Sequence, residues 1–340
     1  MQHGPTAITD FWTWWADYAP TAGELFDAGD PESMARFDAD ITPRIEAIHP
    51  ELGWSTASPP DAEHGLVLSP RGAAGLRSTT ERWLRQAPED QGGWRFYPAR
   101  QPQHGMFELS IELNEHTFDL SHLAVQATFK NRQGKFEIAV YHPDFLFIPE
   151  EDRMQLAALT VDWAFGEDDV SRWVGRLHAV EELPLDTLPP ATLPAMVDAV
   201  PEWYRKPGWV SMNGTTPDGA PVSIGLLFPL RSVDFPLFDH HVLVEVPFAG
   251  QRPDRRTEKR LGKLGEQLAK LAGTDGALVA TTEVASRRGL HFYVDAERAE
   301  QVVEKFETVL KDWKGARVLP SEDPGWSNVA GLTTLPSGSA

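Results

Sequence analysis

Apolar positions in the second half of the chain change period several times, and each change marks an element. Val222, Ile224, Leu226 and Phe228 recur at every second residue, the pattern of a strand that buries one face. The segment Trp209 to Thr216 precedes it, and the turn Pro217-Asp218-Gly219 joins the two into a hairpin whose second arm is Pro221 to Leu230. Val242, Val244, Val246 and Phe248 repeat the two-residue period in a third strand. Leu261, Leu264, Leu268 and Leu271 then follow helical spacing up to Gly273, which predicts an amphipathic helix over Pro253 to Ala272 with a glycine stop. Ala277 to Val284 and Leu290 to Val294 read as strands around a turn at Arg287-Arg288-Gly289. Ala299, Val302, Val303, Phe306, Val309, Leu310 and Trp313 mark a second helix, and Ala316 to Leu319 a last strand. From His241 the order is β-α-β-β-α-β, the ferredoxin-like plan, with an extra amino-terminal β-hairpin before it.

The first half is less regular. Phe11, Trp14, Trp15 and Tyr18 share one helix face, from which Trp12 departs. Leu76, Trp83, Leu84 and Ala87 mark a helix ending at Pro88, and Pro43 is expected to kink or split the helical segment Met34 to Ile48. Strands are expected at Leu66 to Ser69, Trp94 to Pro98, Phe107 to Leu113, Leu123 to Lys130 and Lys135 to His142, with helices at Arg153 to Phe165 and Val170 to Val180. The whole reads as an α+β protein of two domains. Pro184, Pro189, Pro190, Pro194, Pro201 and Pro207 separate them, giving an acidic α+β domain at 1–182, a proline-rich linker at 183–207 and the ferredoxin-like domain at 208–330, followed by a disordered tail at 331–340.

Several segments of the second half together resemble a known family. They are Trp209, Gly214, the run Asp218-Gly219-Ala220-Pro221-Val222, Leu230-Arg231, His241 to Pro247, Arg288-Gly289-Leu290-His291-Phe292-Tyr293 and Asp323-Pro324-Gly325-Trp326. In these the chain is similar, over about residues 203–330, to the bacterial family called domain of unknown function 695. Members are sometimes associated with a domain similar to inhibitors of ribonuclease E, so the resemblance implies a regulatory, protein-binding role. It carries over no catalytic residue.

Composition narrows the chemistry. Cysteine is absent, which excludes disulfides, thiol nucleophiles, iron–sulfur clusters and cysteine zinc sites. No Walker loop, His-Glu-x-x-His or Gly-x-Ser-x-Gly occurs. His240 and His241 are adjacent in a strand and so point to opposite faces, which argues against chelation. Neither a metal nor another cofactor is expected. The clusters Glu150-Glu151-Asp152 and Glu167-Asp168-Asp169 read as helix starts. No run approaches the ~18 apolar residues of a membrane span, and Met1 to Asp10 has no signal-peptide pattern. The expectation is a cytoplasmic protein.

Charge is the remaining clue. Residues 1–200 hold 14 Lys and Arg against 32 Asp and Glu, whereas 201–340 hold 17 against 18. The acidic half favours a cationic protein partner. In the second half Arg252, Arg255, Arg256, Lys259, Arg260 and Lys263 gather on the side of the helix opposite its leucines. These six, with Trp12 as an off-face aromatic, are the candidate interaction surface. Arg288 to Val294 partly matches the aromatic strand motif of RNA-recognition domains, but the net charge of −19 argues against nucleic acid. Two functions remain open: a non-enzymatic protein-binding or regulatory module, and a hydrolase with a His/carboxylate site at the domain junction.

Overall fold

The computed structural model describes residues 4–89, 93–215 and 219–332, and divides into two units, one of residues 1–130 and 135–199, the other of 131–134 and 200–340. The protein is α+β, with several separate sheets. In the first unit the elements are α1 (Gly4–Ala28), α2 (Pro31–Ile48), β1 (Gly53–Ala57), β2 (His64–Ser69), α3 (Arg77–Arg85), β3 (Trp94–Tyr97), β4 (Ser110–Leu113), β5 (His116–Asp119), β6 (Ala124–Lys130), β7 (Lys135–Tyr141), α4 (Glu150–Phe165), α5 (Glu167–Trp173), β8 (Val174–Val180) and α6 (Leu193–Asp198). Strands β1-β2-β3 and β6-β7-β8 form three-stranded sheets, with β4-β5 as a separate hairpin.

One core joins α1, α2 and α3 to the first sheet. Phe11, Trp15, Phe37, Ile41, Trp83, Trp94 and Phe96 are all buried in it. Trp12 belongs to the same cluster: it is only 7% exposed, its Nε1 donates to the Trp83 carbonyl at 2.7 Å, and its ring stacks on Trp83 at 4.9 Å. The expectation of a surface Trp12 is therefore corrected. Aromatic rings enclose more than one stripe of α1, because a helix packed against both α3 and β3 buries positions that a single-face reading assigns to solvent.

Pro43 neither splits nor ends α2, which runs unbroken from Pro31 to Ile48. Its ring lies on the exposed side, while Phe37, Ile41, Ile45 and Ile48 anchor the buried face across it. Asp30 caps the helix by accepting from Glu32 N and Ser33 N. The helix expected over Val170 to Val180 is also corrected. Its first residues belong to α5, but Val174–Val180 is β8, which pairs parallel with β7. Backbone pairing beside β7 overrides the local helical pattern. Phe107 sits in a short 3-10 turn before β4, so the strand expected from that residue begins only at Ser110.

The proline-rich stretch is structured. Leu188 bridges Val125 on the edge of β6, Pro190 and Leu193 are buried, and α6 packs against α4. The first unit therefore extends to Ala199. The tail expected at 331–340 lies outside the described residues from position 333 onward, as do Pro217 and Asp218 of the hairpin turn.

The second unit contains α7 (Glu202–Arg205), β9 (Gly208–Thr215), β10 (Pro221–Phe228), β11 (Phe238–Pro247), α8 (Arg255–Ala272), β12 (Gly276–Val284), β13 (Arg287–Asp295), α9 (Ala299–Leu310), β14 (Arg317–Glu322) and α10 (Ser327–Ala330). Its six strands lie in the order β14-β11-β13-β12-β10-β9, all antiparallel. Val242, Val244, Val246, Leu290, Phe292 and Val294 project from one face into a core with Leu261, Leu264 and Leu268 of α8 and Val302 and Phe306 of α9. The turn between β12 and β13 is corrected from Arg287-Arg288-Gly289 to Ala285-Ser286. Those two residues adopt positive φ of 49° and 62°, and Val284 already pairs with Arg287. A two-residue turn of that kind matches the twist of the flanking strands.

A fragment spanning 200–340 has its own sheet, helices and core, so it is expected to unfold in one cooperative transition, followed by circular dichroism on heating. A broad, non-cooperative melt would show that the fragment needs the rest of the chain.

Candidate functional site

Helix α8 begins at Asp254, whose carboxylate accepts from Thr257 N at 2.7 Å. Its buried face is Leu261, Leu264, Gly265, Leu268 and Ala272. Geometry then forces the residues between them outward, and Arg255, Arg256, Lys259, Arg260 and Lys263 are all exposed along one ridge, with exposed Arg252 just ahead of the helix. None of these six makes an ion pair among the described residues. Arg260 instead lays its guanidinium over the Trp313 ring, 4.8 Å from the centroid. Of the two acidic residues within the basic stretch, Asp254 is taken up in capping the helix, and Glu258 is drawn aside to Arg288 at 2.6 Å, which is also held by Glu283. The result is a cationic ridge with little internal neutralisation. Trp12 belongs to the core of the other unit and is not part of this surface.

On the sheet face opposite α8 and α9 lies a polar cluster that the sequence did not reveal. His241 Nε2 and His291 Nδ1 are 3.1 Å apart, and His291 Nε2 is 3.2 Å from Thr282 Oγ1. Both rings are buried, at 4% and 9% exposure. Burial, followed by the charge of His241, depresses His291 to about 4. Burial also depresses His241. Beside them the Tyr293 hydroxyl donates to Asp323, and the Tyr293 ring stacks on Trp326 at 3.8 Å. Asp323 also accepts from Ser327 N at 2.8 Å and Asn328 N at 2.9 Å. Burial opposes the ionised carboxyl, but these hydrogen bonds outweigh it and hold Asp323 down at about 2.

His240 and His241 do diverge as strand alternation requires, but His241 finds its partner diagonally on the adjacent strand, since it stands opposite Tyr293 and His291 stands opposite Leu243. The signal available in sequence was a His in each of two alternating strands. Only the strand register could pair them. The same register removes the RNA-type platform. Leu290 and Phe292 point into the helix-side core, and Tyr293 is fully buried, so β13 presents no aromatic ring to a base.

In the first unit, acidic residues do open α4 and α5, as expected, but Glu167 has a second task. It is 5% exposed and accepts from Ser69 Oγ at 2.8 Å, Gly72 N at 2.6 Å and Arg100 N at 3.2 Å. Arg100 in turn grips Asp162 through Nε at 2.6 Å and Nη2 at 3.1 Å, and Arg77 grips Asp168 at 2.8 and 3.0 Å. Gly166 makes the corner possible: its φ is +74°, and a Cβ there would stand 2.8 Å from the Arg100 carbonyl. The network ties α5 to the ends of β2 and β3.

A cleft of about 710 Å³ opens nearby in the same unit, lined by Thr56, Pro59, Tyr97, Gln103, His104 and Met106 among others. No carboxylate or permanent cation lines it, and His104 Nε2 is already 2.8 Å from the Ala164 carbonyl. Burial, and then Asp61, raise the Tyr97 hydroxyl above its ordinary value, which keeps it neutral. Among the described residues no group of three or more His, Asp or Glu is placed to hold a metal ion, and no helix is long and apolar enough to cross a membrane.

Comparison with protein-family models, with curated proteins and with solved structures finds no match to this chain.

Proposed function

We propose that the protein is a non-enzymatic protein-binding or regulatory module, and that the cationic ridge of α8 docks an acidic segment of another protein. The observation that carries this reading is the set of exposed cations Arg255, Arg256, Lys259, Arg260 and Lys263 along one ridge, with Glu258 removed from it by Arg288. Opposite potentials steer and orient an encounter even where each exposed pair contributes only ~0 to 1 kcal/mol. The first unit offers the complementary case: α1 and α2 with their joining turn carry nine Asp and Glu against two Arg, a face suited to a cationic protein partner.

The second unit is read as a ferredoxin-like domain extended by the β9-β10 hairpin and related to the domain of unknown function 695. Its supports are the β-α-β-β-α-β order from β11 to β14, the strand order β14-β11-β13-β12 and the motif residues named above.

The test is anisotropy titration with two labelled probes of equal charge, a glutamate-rich peptide and a single-stranded RNA. The peptide is expected to bind more tightly, to weaken with added salt, and to lose about tenfold in affinity on Arg256→Glu, Arg260→Glu, Lys263→Glu triple substitution. Equal binding by the triple variant, or preference for the RNA, would overturn the proposal.

A further inference from the structure

The two edges of the six-stranded sheet are unlike. The β14 edge is guarded: Pro320 cannot donate to a neighbouring strand, and Arg317 and Glu322 put charges on it. The β9 edge has none of these devices. Its eight residues, Gly208 to Thr215, contain no charged side chain and no proline. The strand pairs with β10 residue for residue from Gly208 to Thr215 without a bulge. Gly208, Trp209, Ser211, Asn213, Gly214 and Thr215 are exposed, and the Trp209 ring, 52% exposed, flanks Gly225 on the neighbouring strand. A straight, neutral edge of this length presents a row of backbone N–H and C=O groups, and the protein group that satisfies such a row is another extended strand.

We infer that this edge is a self-association surface, on which β9 pairs antiparallel with β9 of a second copy to give one continuous sheet of twelve strands. A copy of the same chain is the occupant that the strand's own sequence fits under a two-fold, and charge adds little against it here: the net charge of −19 lies almost wholly in residues 1–200, whereas β9 is uncharged and residues 201–340 are nearly balanced at 17 basic against 18 acidic. Closure follows from the asymmetry of the edges. With one edge open and the other guarded, pairing consumes the only unguarded edge of this sheet and stops at a dimer, where two open edges would propagate into a filament. In a two-fold pairing centred on Met212, Ser211 faces Asn213 and Trp209 faces Thr215 of the copy, which are small polar partners that the tryptophan ring can cover.

The experiment is light scattering on the full chain at about 100 µM, for the native protein and a Ser211→Lys, Asn213→Lys double variant. The native protein is expected at twice the chain mass and the double variant at the chain mass, with its circular dichroism unchanged. Because the chain has no cysteine, Ser211→Cys, Met212→Cys and Asn213→Cys made singly report the contact independently of the lysines, so a double variant that fails to fold leaves the question answerable. Under mild oxidation the variant nearest the two-fold axis should form a covalent dimer fastest. A native protein that stays monomeric at that concentration overturns the inference. So does a dimer that survives in the folded lysine variant, or a cysteine series that never cross-links.

Discussion

Glu167→Ala is expected to lower the melting temperature of the first unit by roughly 10 °C, from a loss of about 3 kcal/mol. The carboxylate is buried and gathers three donors from two separate segments, Ser69 at the end of β2 with Gly72 just beyond it, and Arg100 after β3. Removing it strands the Gly72 and Arg100 amides without their acceptor and leaves Arg100 with Asp162 alone to balance its charge. Glu167→Gln keeps the shape and one acceptor oxygen, so it should cost less than half as much. Differential scanning calorimetry of the two variants decides between a structural clamp and a passive helix start: equal, small shifts would mean that α5 owes little to Glu167.

Acidification should destabilise the second unit. His291 titrates at about 4 in the folded protein against about 6.5 when unfolded. Between those values the unfolded chain holds a proton that the folded chain refuses, so stability is full above pH 6.5 and falls as pH drops toward 4. The full shift is worth about 3 kcal/mol. Asp323 acts in the same direction at lower pH, because its folded value of about 2 lies below its ordinary value and its contribution is lost as it protonates. Urea unfolding of native protein and of His291→Gln from pH 7 to 4.5 tests this. The native midpoint should fall more steeply with acid than the variant's, and parallel slopes would show that the histidine pair does not govern the response.

Legibility in the sequence followed the range of the forces involved. The strands and helices from His241 onward could be read from periodicity because each buries one face against the same core: Val242, Val244 and Val246 on β11 and Leu261, Leu264 and Leu268 on α8 meet there. β8 could not, since Val174–Val180 becomes a strand through pairing with β7, a decision made by a distant segment. Trp12 was misplaced because the helical wheel assumes a single partner, whereas α1 is enclosed from two sides. The basic ridge was legible, being the complement of the leucine stripe on one helix. The His241–His291 pair and the Glu167 network were not, because both depend on residues brought together by strand register or by a chain corner far along the sequence.

The position of β11 bears on the order in which the second unit can assemble during synthesis. Its neighbours on both sides, β13 and β14, follow it in the chain, so when β11 emerges from the ribosome it has neither of them to pair with. The β9-β10 hairpin is local and can close at once, but β10 joins the rest of the sheet only through β12. Val242, Val244 and Val246 therefore wait as an exposed apolar strand, with α8 the first element able to shelter them. The last strand of this sheet to be made completes the pairing of the third, so synthesis must pass β14 before this unit can hold its native sheet.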